Sequence, residues 1–164
     1  MNLARSDYHI KKEKVIKTSD YSTVLDGKIS KTKIRVRYPD TDKMGVVYHG
    51  KYLEYLDVAR TEFFREAGFT YKELEDAGIG LVVVDVNMKF RQSAFYDEVI
   101  LVECALEKIE SATVFFRYKI FSNDKLLIEA SIKLIAADLK IKKAVRIPEN
   151  IYEGLKDYQV SLGE

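Results

Sequence analysis

Between residues 82 and 134 the chain alternates apolar and polar positions almost without a break, and this period of two decides most of what it can fold into. Val82, Val84, Val86, Met88 and Phe90 share one face of a first run, and Ile100, Val102, Cys104 and Leu106 one face of a second. Val114, Phe116, Tyr118 and Ile120 mark a third, and Leu126, Ile128, Ala130, Ile132 and Leu134 a fourth. Successive side chains of a strand point to opposite faces, so each run predicts a strand with one buried face. Ser122-Asn123-Asp124-Lys125 predicts a turn between the last two and hence antiparallel pairing.

Upstream the period changes. Tyr52, Tyr55, Leu56, Ala59, Phe63 and Ala67 recur every three or four residues, which predicts one long helix, with Leu53 and Phe64 widening its apolar stripe and Gly68 capping its end. Thr70 with Glu73 forms a capping-box pattern and predicts a short helix over 70–76. Residues 31–38, with Ile34 and Val36 on one face, read as a first strand; 141–147 read as a last strand stopped by Pro148, and 149–157 as a closing helix. One helix followed by strands with no helices between them cannot make repeated right-handed βαβ crossovers. The expectation is an α+β fold in which a curved antiparallel sheet of five to six strands wraps a long central helix. Edge strands this apolar need cover, which predicts a homodimer with a continuous sheet.

With 164 residues and 47% hydrophobic content, the chain can bury one substantial core. A domain over 31–158 is expected, with 159–164 a tail and 1–30 an N-terminal extension for which three readings stand open: docking on the domain, touching a phosphate-bearing partner, or a mobile arm. The 27 basic and 26 acidic residues give no bulk attraction for polyanions, so no nucleic-acid partner is expected. No apolar run approaches the ~20 residues that span a bilayer and no hydrophobic signal segment opens the chain, so a cytoplasmic protein without a membrane partner is expected. Cys104 is the single cysteine and belongs to an alternating run, which suits a buried small residue. The two histidines, His9 and His49, lack ligand spacing, and no glycine-rich phosphate loop occurs, so neither a metal nor a nucleotide cofactor is expected.

The stretch from Tyr38 through Pro39, Asp40, Asp42 and Gly45 to His49 is where chemistry is expected. Pro39 and Gly45 break the first strand, and the long helix that follows offers unpaired N–H groups at its start. Asp42 is either a reacting carboxylate or a cap and turn residue; Asp40, two positions away, is its competitor.

The run Arg37-Tyr38 through Asp42, Gly45, Val47-Tyr48-His49, Tyr52-Leu53 and Ala59-Arg60 resembles the opening of the 4-hydroxybenzoyl-CoA thioesterase family, especially its bacterial acyl-CoA thioesterase branch. Phe90-Arg91-Gln92-Ser93-Ala94, Asp97, and Lys142-Lys143 through Arg146-Ile147-Pro148 continue the likeness. The resemblance implies a hotdog fold, obligate dimers that often pair again into tetramers, active sites at the dimer interface, and hydrolysis of acyl-CoA or acyl carrier protein thioesters without metal or redox cofactor. It puts the catalytic aspartate on Asp42, the helix-start histidine on His49 and a family tyrosine on Tyr38.

A thioester carbonyl needs an oxygen nucleophile and donors for the oxyanion. Asp42 would act as nucleophile or as general base, with His49 and Tyr38 in the catalytic set. Backbone amides of Val47, Tyr48, His49 and Gly50 are the expected oxyanion donors. Tyr48, Arg91, Lys142 and Lys143 are expected to bind substrate, although basic residues on polar faces are equally ordinary solvation. The readings that compete with an acyl-CoA thioesterase are an acyl carrier protein thioesterase and a hotdog protein that binds acyl groups without cleaving them.

Overall fold

Sixteen residues, Lys51–Glu66, form helix α1, and its buried face carries Tyr52, Tyr55, Leu56, Ala59, Phe63 and Phe64 in the spacing read from the sequence. Leu53, expected to widen that stripe, is 40% exposed and lies outside it. The chain is described here from a computed structural model over residues 21–161. Against α1 lies a six-stranded antiparallel sheet in the order β1-β2-β4-β5-β6-β3, with β1 at Tyr21–Asp26, β2 at Ile29–Arg35, β3 at Ile79–Phe90, β4 at Val99–Ile109, β5 at Thr113–Ser122 and β6 at Lys125–Asp138. This is the expected hotdog arrangement. Two short helices complete it: α2 at Tyr71–Asp76 and α3 at Glu149–Leu155. Among the described residues no helix is long and apolar enough to cross a membrane.

Local chemistry accounts for the joints. Thr70 and Glu73 cap α2 reciprocally, as expected, and Gly68, at φ +93°, ends α1. Asn123 and Asp124 both have positive φ, 47° and 63°, the pattern of a type I′ hairpin turn whose twist matches the strands it joins. The core is sealed by aromatic edges, with Phe63 and Phe64 centroids 5.3 and 5.7 Å from Phe116. Arg60 sits on the buried face of α1 at 6% exposure. Its guanidinium donates to the Tyr71 hydroxyl (2.7 Å), the Tyr118 hydroxyl (3.4 Å) and Asp57 (2.6 Å). Burial favours the neutral form, but the Tyr118 and Tyr71 oxygens and the Asp57 carboxylate outweigh it and raise the Arg60 pKa.

Four features besides Leu53 differ from the sequence expectations. Residues 21–26, assigned to the N-terminal extension, form β1 and pair with β2 through the two-residue loop Gly27–Lys28, where Gly27 has φ +61°. The rest of that extension, 1–20, and residues 162–164 of the tail lie outside the described residues. The expected strand over 31–38 is β2, begun at Ile29 and ended at Arg35. In β3 a bulge inserts Val84 between the pairs Val83↔Leu134 and Asp85↔Lys133. Val82 therefore falls on the opposite face from Val86, Met88 and Phe90, because one extra residue inverts the alternation. Residues 141–147 are not a strand: the Asp138 carboxylate accepts the N–H groups of Lys140 and Ile141, Lys142 takes φ +57°, and the chain curls back to a single bridge, Ala137↔Ala144.

Candidate active site

Asp42 is positioned by a small hairpin of its own. Thr41 bridges Val47, the Asp42 N–H donates to the Val46 carbonyl (2.9 Å), and the Gly45 N–H donates back to the Asp42 carbonyl (3.0 Å). The loop Lys43-Met44-Gly45 closes with Gly45 at φ +77°, a conformation that a side chain would strain. Asp42 Oδ1 accepts the Met44 N–H at 2.8 Å, and its other oxygen has no protein donor among the described residues. The half-buried carboxylate lines an open cleft of about 280 Å³ at the start of α1, with Met44, Val46, Val47, His49 and Tyr52 on one side and Phe90, Arg91, Gln92 and Ser93 on the other.

Asp40, two residues earlier, lives in the opposite environment. It is fully buried and accepts the Arg37 N–H (3.1 Å), the Arg37 guanidinium (3.1 and 3.4 Å) and the Tyr55 hydroxyl (2.9 Å), with Lys51 Nζ at 3.6 Å. Burial pushes its pKa up, yet the hydrogen bonds from Arg37 and Tyr55 hold it below the usual carboxylate value. At the other end of that hydrogen bond, burial and then the contact with the Asp40 carboxylate push the Tyr55 phenol upward. Asp40 thus fastens the turn to α1, and its oxygens are engaged.

The oxyanion expectation is narrowed. The Val47 N–H donates to the Ala94 carbonyl and the Tyr48 N–H to the Asp40 carbonyl, both at 2.9 Å, so these two amides are committed elsewhere. No acceptor among the described residues takes the amides of His49 and Gly50, which precede α1. The His49 ring is exposed and packs on Tyr48 at a centroid distance of 4.3 Å. Gly50 makes room for that stack: a Cβ there would lie 2.7 Å from the Tyr48 ring.

Other expected residues separate. Tyr38 is 75% exposed, packs its edge on Tyr96 at 5.7 Å, and is not part of the cleft wall. Tyr48 also stands outside the wall and touches it through His49. Arg91 lines the cleft and donates to Glu129 at 2.8 and 3.1 Å. Lys142 and Lys143 are exposed beyond β6, beside the Ile79 end of β3, whereas the cleft is at the Phe90 end. Eleven residue steps of strand put roughly 36 Å between those ends. Gln92 and Ser93, polar groups in the wall, were missed as site residues although they belong to the Phe90–Ala94 motif; only their place after β3 reveals them. Tyr52 is the other omission: its stripe position marked it as core, yet its hydroxyl accepts the Ala94 N–H (3.1 Å) at the cleft floor. Among the described residues no group of three His, Cys, Asp or Glu is arranged to hold a metal.

The family description "Thioesterase-like superfamily" matches residues 36–155. An acyl-CoA thioesterase of Haemophilus influenzae is 34% identical over 119 residues, covering 72% of this chain and 88% of that protein. The crystal structure of a DHNA-CoA thioesterase from Staphylococcus aureus superposes with a TM-score of 0.75 at 34% identity, covering 79% of this chain and 88% of that one. A hypothetical protein of Thermus thermophilus gives 0.74 at 37% identity, with 77% and 96% covered.

Proposed function

This chain belongs to the thioesterase-like superfamily, and from that premise we propose that it hydrolyses an acyl-CoA thioester to the free acid and coenzyme A, with Asp42 as the reacting carboxylate. Its family makes it a thioester hydrolase of the hotdog fold. The observation that carries the finer reading is the Asp42 carboxylate, pinned through one oxygen and open through the other, in a cleft beside the uncommitted amides of His49 and Gly50.

The chemistry follows from those groups. With Asp42 as general base, a water oxygen bonds to the carbonyl carbon while the carboxylate takes the proton. The carbonyl oxygen becomes an oxyanion held by the His49 and Gly50 N–H groups at the positive end of α1. Collapse breaks the carbon–sulfur bond, and the departing thiolate recovers the proton. With Asp42 as nucleophile, its oxygen bonds to the carbonyl, the thiolate leaves, and water then opens the acyl-aspartyl anhydride. Both routes use the same arrangement, and a single turnover in ¹⁸O water separates them: label retained in the Asp42 carboxylate excludes the general-base route. His49 serves as a ring donor to the water or the thioester, Tyr48 orients it, and Arg91 borders the path of the leaving group. Tyr38 has no part in this reading.

The functional unit is a homodimer joined along β3. That strand ends the sheet and exposes Val82, Val83, Val84, Val86 and Phe90, each between 40% and 54%. A bare apolar edge is covered when a second copy pairs antiparallel to it. Such pairing sets the Ile79 end of one β3 beside the Phe90 end of the other, so Lys142 and Lys143 serve a cleft only across the interface.

The deciding experiment is thiol release from short, medium, long and aromatic acyl-CoAs by wild type and Asp42→Asn, with fold and mass checked. Loss of turnover by a factor of about 10²–10⁴ with substrate binding kept is expected. Tight binding without turnover by wild type, on coenzyme A and carrier-protein esters alike, would move the protein to the class that binds acyl groups without cleaving them.

A further inference from the structure

Tyr52 stands in the first turn of α1, and its side chain lines the Asp42 cleft although the residue is only 2% exposed. Two aromatic rings clamp it, Tyr55 at a centroid distance of 6.0 Å and Phe90 at 5.9 Å. Helical side chains lean toward the helix N-terminus, so this phenol reaches back over the start of α1, where the uncommitted amides of His49 and Gly50 lie. Its oxygen accepts the Ala94 N–H at 3.1 Å, and the Ala94 carbonyl in turn accepts the Val47 N–H at 2.9 Å. Tyr52 thereby ties the wall at Gln92 and Ser93 to the wall that carries Asp42. A phenol hydroxyl both accepts and donates, and here the second half is unused: the Tyr52 O–H finds no acceptor among the described residues. Burial holds the phenol above its ordinary value, the Ala94 N–H lowers it in part and the Glu98 charge raises it, so the donor keeps its proton at neutral pH.

A buried O–H left unpaired is unfavourable, so its acceptor comes from outside the chain. Hydrolysis supplies one. Whichever way Asp42 reacts, a water oxygen attacks beside it, on the thioester or on the anhydride. A water held by one hydrogen bond pivots; a second anchor aims its lone pair at the carbon. Other groups of the wall fit less well: Arg91 is engaged by Glu129, the His49 ring is exposed and leans on Tyr48, and Gln92 and Ser93 are exposed beyond the end of β3. Tyr52 combines a clamped ring, an unspent donor and a place at the cleft floor. Resting on the thioesterase reading above, we propose that the Tyr52 hydroxyl donates a hydrogen bond to the attacking water and holds it beside Asp42. On the general-base route the water gives one proton to Asp42, takes the Tyr52 hydrogen bond on one lone pair and bonds to the acyl carbon with the other. The carbon–sulfur bond then breaks, and the thiolate takes the proton from Asp42. On the anhydride route the same water attacks the acyl carbon, the Asp42 carboxylate is the leaving group, and the proton passes to solvent with the product acid. The Tyr52 O–H bond stays whole on both.

The test measures acid and hydroxamate together while the full-length protein turns over an acyl-CoA in the presence of hydroxylamine, a nucleophile strong enough to react without an anchor. The uncatalysed reaction is subtracted. Tyr52→Phe should form acid about 100-fold more slowly with KM within about twofold of wild type, and its hydroxamate-to-acid ratio should rise by a similar factor. A residue that merely braced the Ala94 segment would lower both products alike. Because Tyr52→Phe also strands the Ala94 N–H, difluorotyrosine at position 52 is the second variant: it keeps the oxygen as acceptor and makes the phenol more acidic. Its rate of acid formation should fall at a lower pH than in wild type, as the donated proton is lost. Asp42, His49 and Arg91 face the same cleft and Glu98 acts on the phenol, but all four are common to both proteins, so a shift between them belongs to Tyr52. An unchanged product ratio in Tyr52→Phe, or an alkaline limb unmoved by difluorotyrosine, overturns the proposal and leaves the thioesterase reading standing. Wild type that releases no thiol from any coenzyme A or carrier-protein ester refutes that reading and this proposal with it.

Discussion

Replacing Asp40 by Asn and Asp42 by Asn should produce opposite phenotypes from carboxylates two residues apart. In Asp40→Asn the amide oxygen is best placed at Oδ2, where it keeps the Arg37 N–H and the Tyr55 hydroxyl (3.1 and 2.9 Å). The amide NH₂ then faces the Arg37 guanidinium, donor to donor, where Oδ1 had accepted at 3.1 Å. A hydrogen bond to a charged group contributes about 1.5–3 kcal/mol, and a broken buried ion pair costs about 3–5. Arg37 is half exposed and can turn to water, which discounts the upper figure, so a loss of about 2–3 kcal/mol is expected. For a chain of this size that lowers Tm by roughly 5–10 °C and the urea midpoint by about 1 M. The folded pKa of Asp40 lies below its ordinary value of 3.8, so its stabilisation is complete above that pH and is lost as pH falls through the folded pKa. The gap between wild type and Asp40→Asn should therefore narrow below about pH 4. Asp42→Asn, with one oxygen on a single amide, should unfold within about 0.5 kcal/mol of wild type. Urea titrations at fixed protein concentration, beside thiol-release rates, measure both. An Asp40→Asn protein with an unchanged midpoint and abolished turnover would refute the argument, because the buried carboxylate would then be the reacting one.

Arg60→Leu strands the Tyr71 and Tyr118 hydroxyls under α1 and should cost about 3 kcal/mol in urea unfolding, whereas Lys133→Leu on the outer face should cost little. Val83→Lys/Val86→Lys on β3 should halve the mass seen by sedimentation, and retention of the wild-type mass would argue against β3 as the dimer seam. Asp124→Gly relieves the positive φ of 63° in the β5–β6 turn and should raise stability by about 0.5–1 kcal/mol, read as an increased urea midpoint.

The long helix, the four alternating strands and the Asn123–Asp124 turn were legible because each is written in local spacing or turn chemistry. The bulge at Val84 was not, since an extra residue inside the run Val82-Val83-Val84 leaves the composition of both faces apolar. Residues 141–147 alternate acceptably for a strand, and nothing in that segment announces that Asp138 will capture the amides of Lys140 and Ile141. β1 did carry a signal, Gly27 between short apolar pieces, which the basic residues around it obscured. At the site, the likeness of the Tyr38–His49 stretch singled out Asp42. The commitment of the Val47 and Tyr48 amides depends on the Ala94 and Asp40 carbonyls and is a tertiary fact. The burial of Asp40 and the exposure of Tyr38 are likewise set by what packs above them.

The strand order has a consequence during synthesis. β3 is made before β4 and β5, yet among the described residues the strand it pairs with is β6. Phe90 closes β3 and its partner in β6 is Ile128, so at roughly 5–20 residues per second the strand waits about 2–8 s for the first residue that pairs with it. During that interval a valine-rich segment is free to join the β3 of a neighbouring nascent chain, which is the same seam proposed for the finished dimer. The bulge at Val84 and the charge of Asp85 interrupt its flat edge at the middle. They make the strand a poor template for open-ended stacking on a crowded polysome.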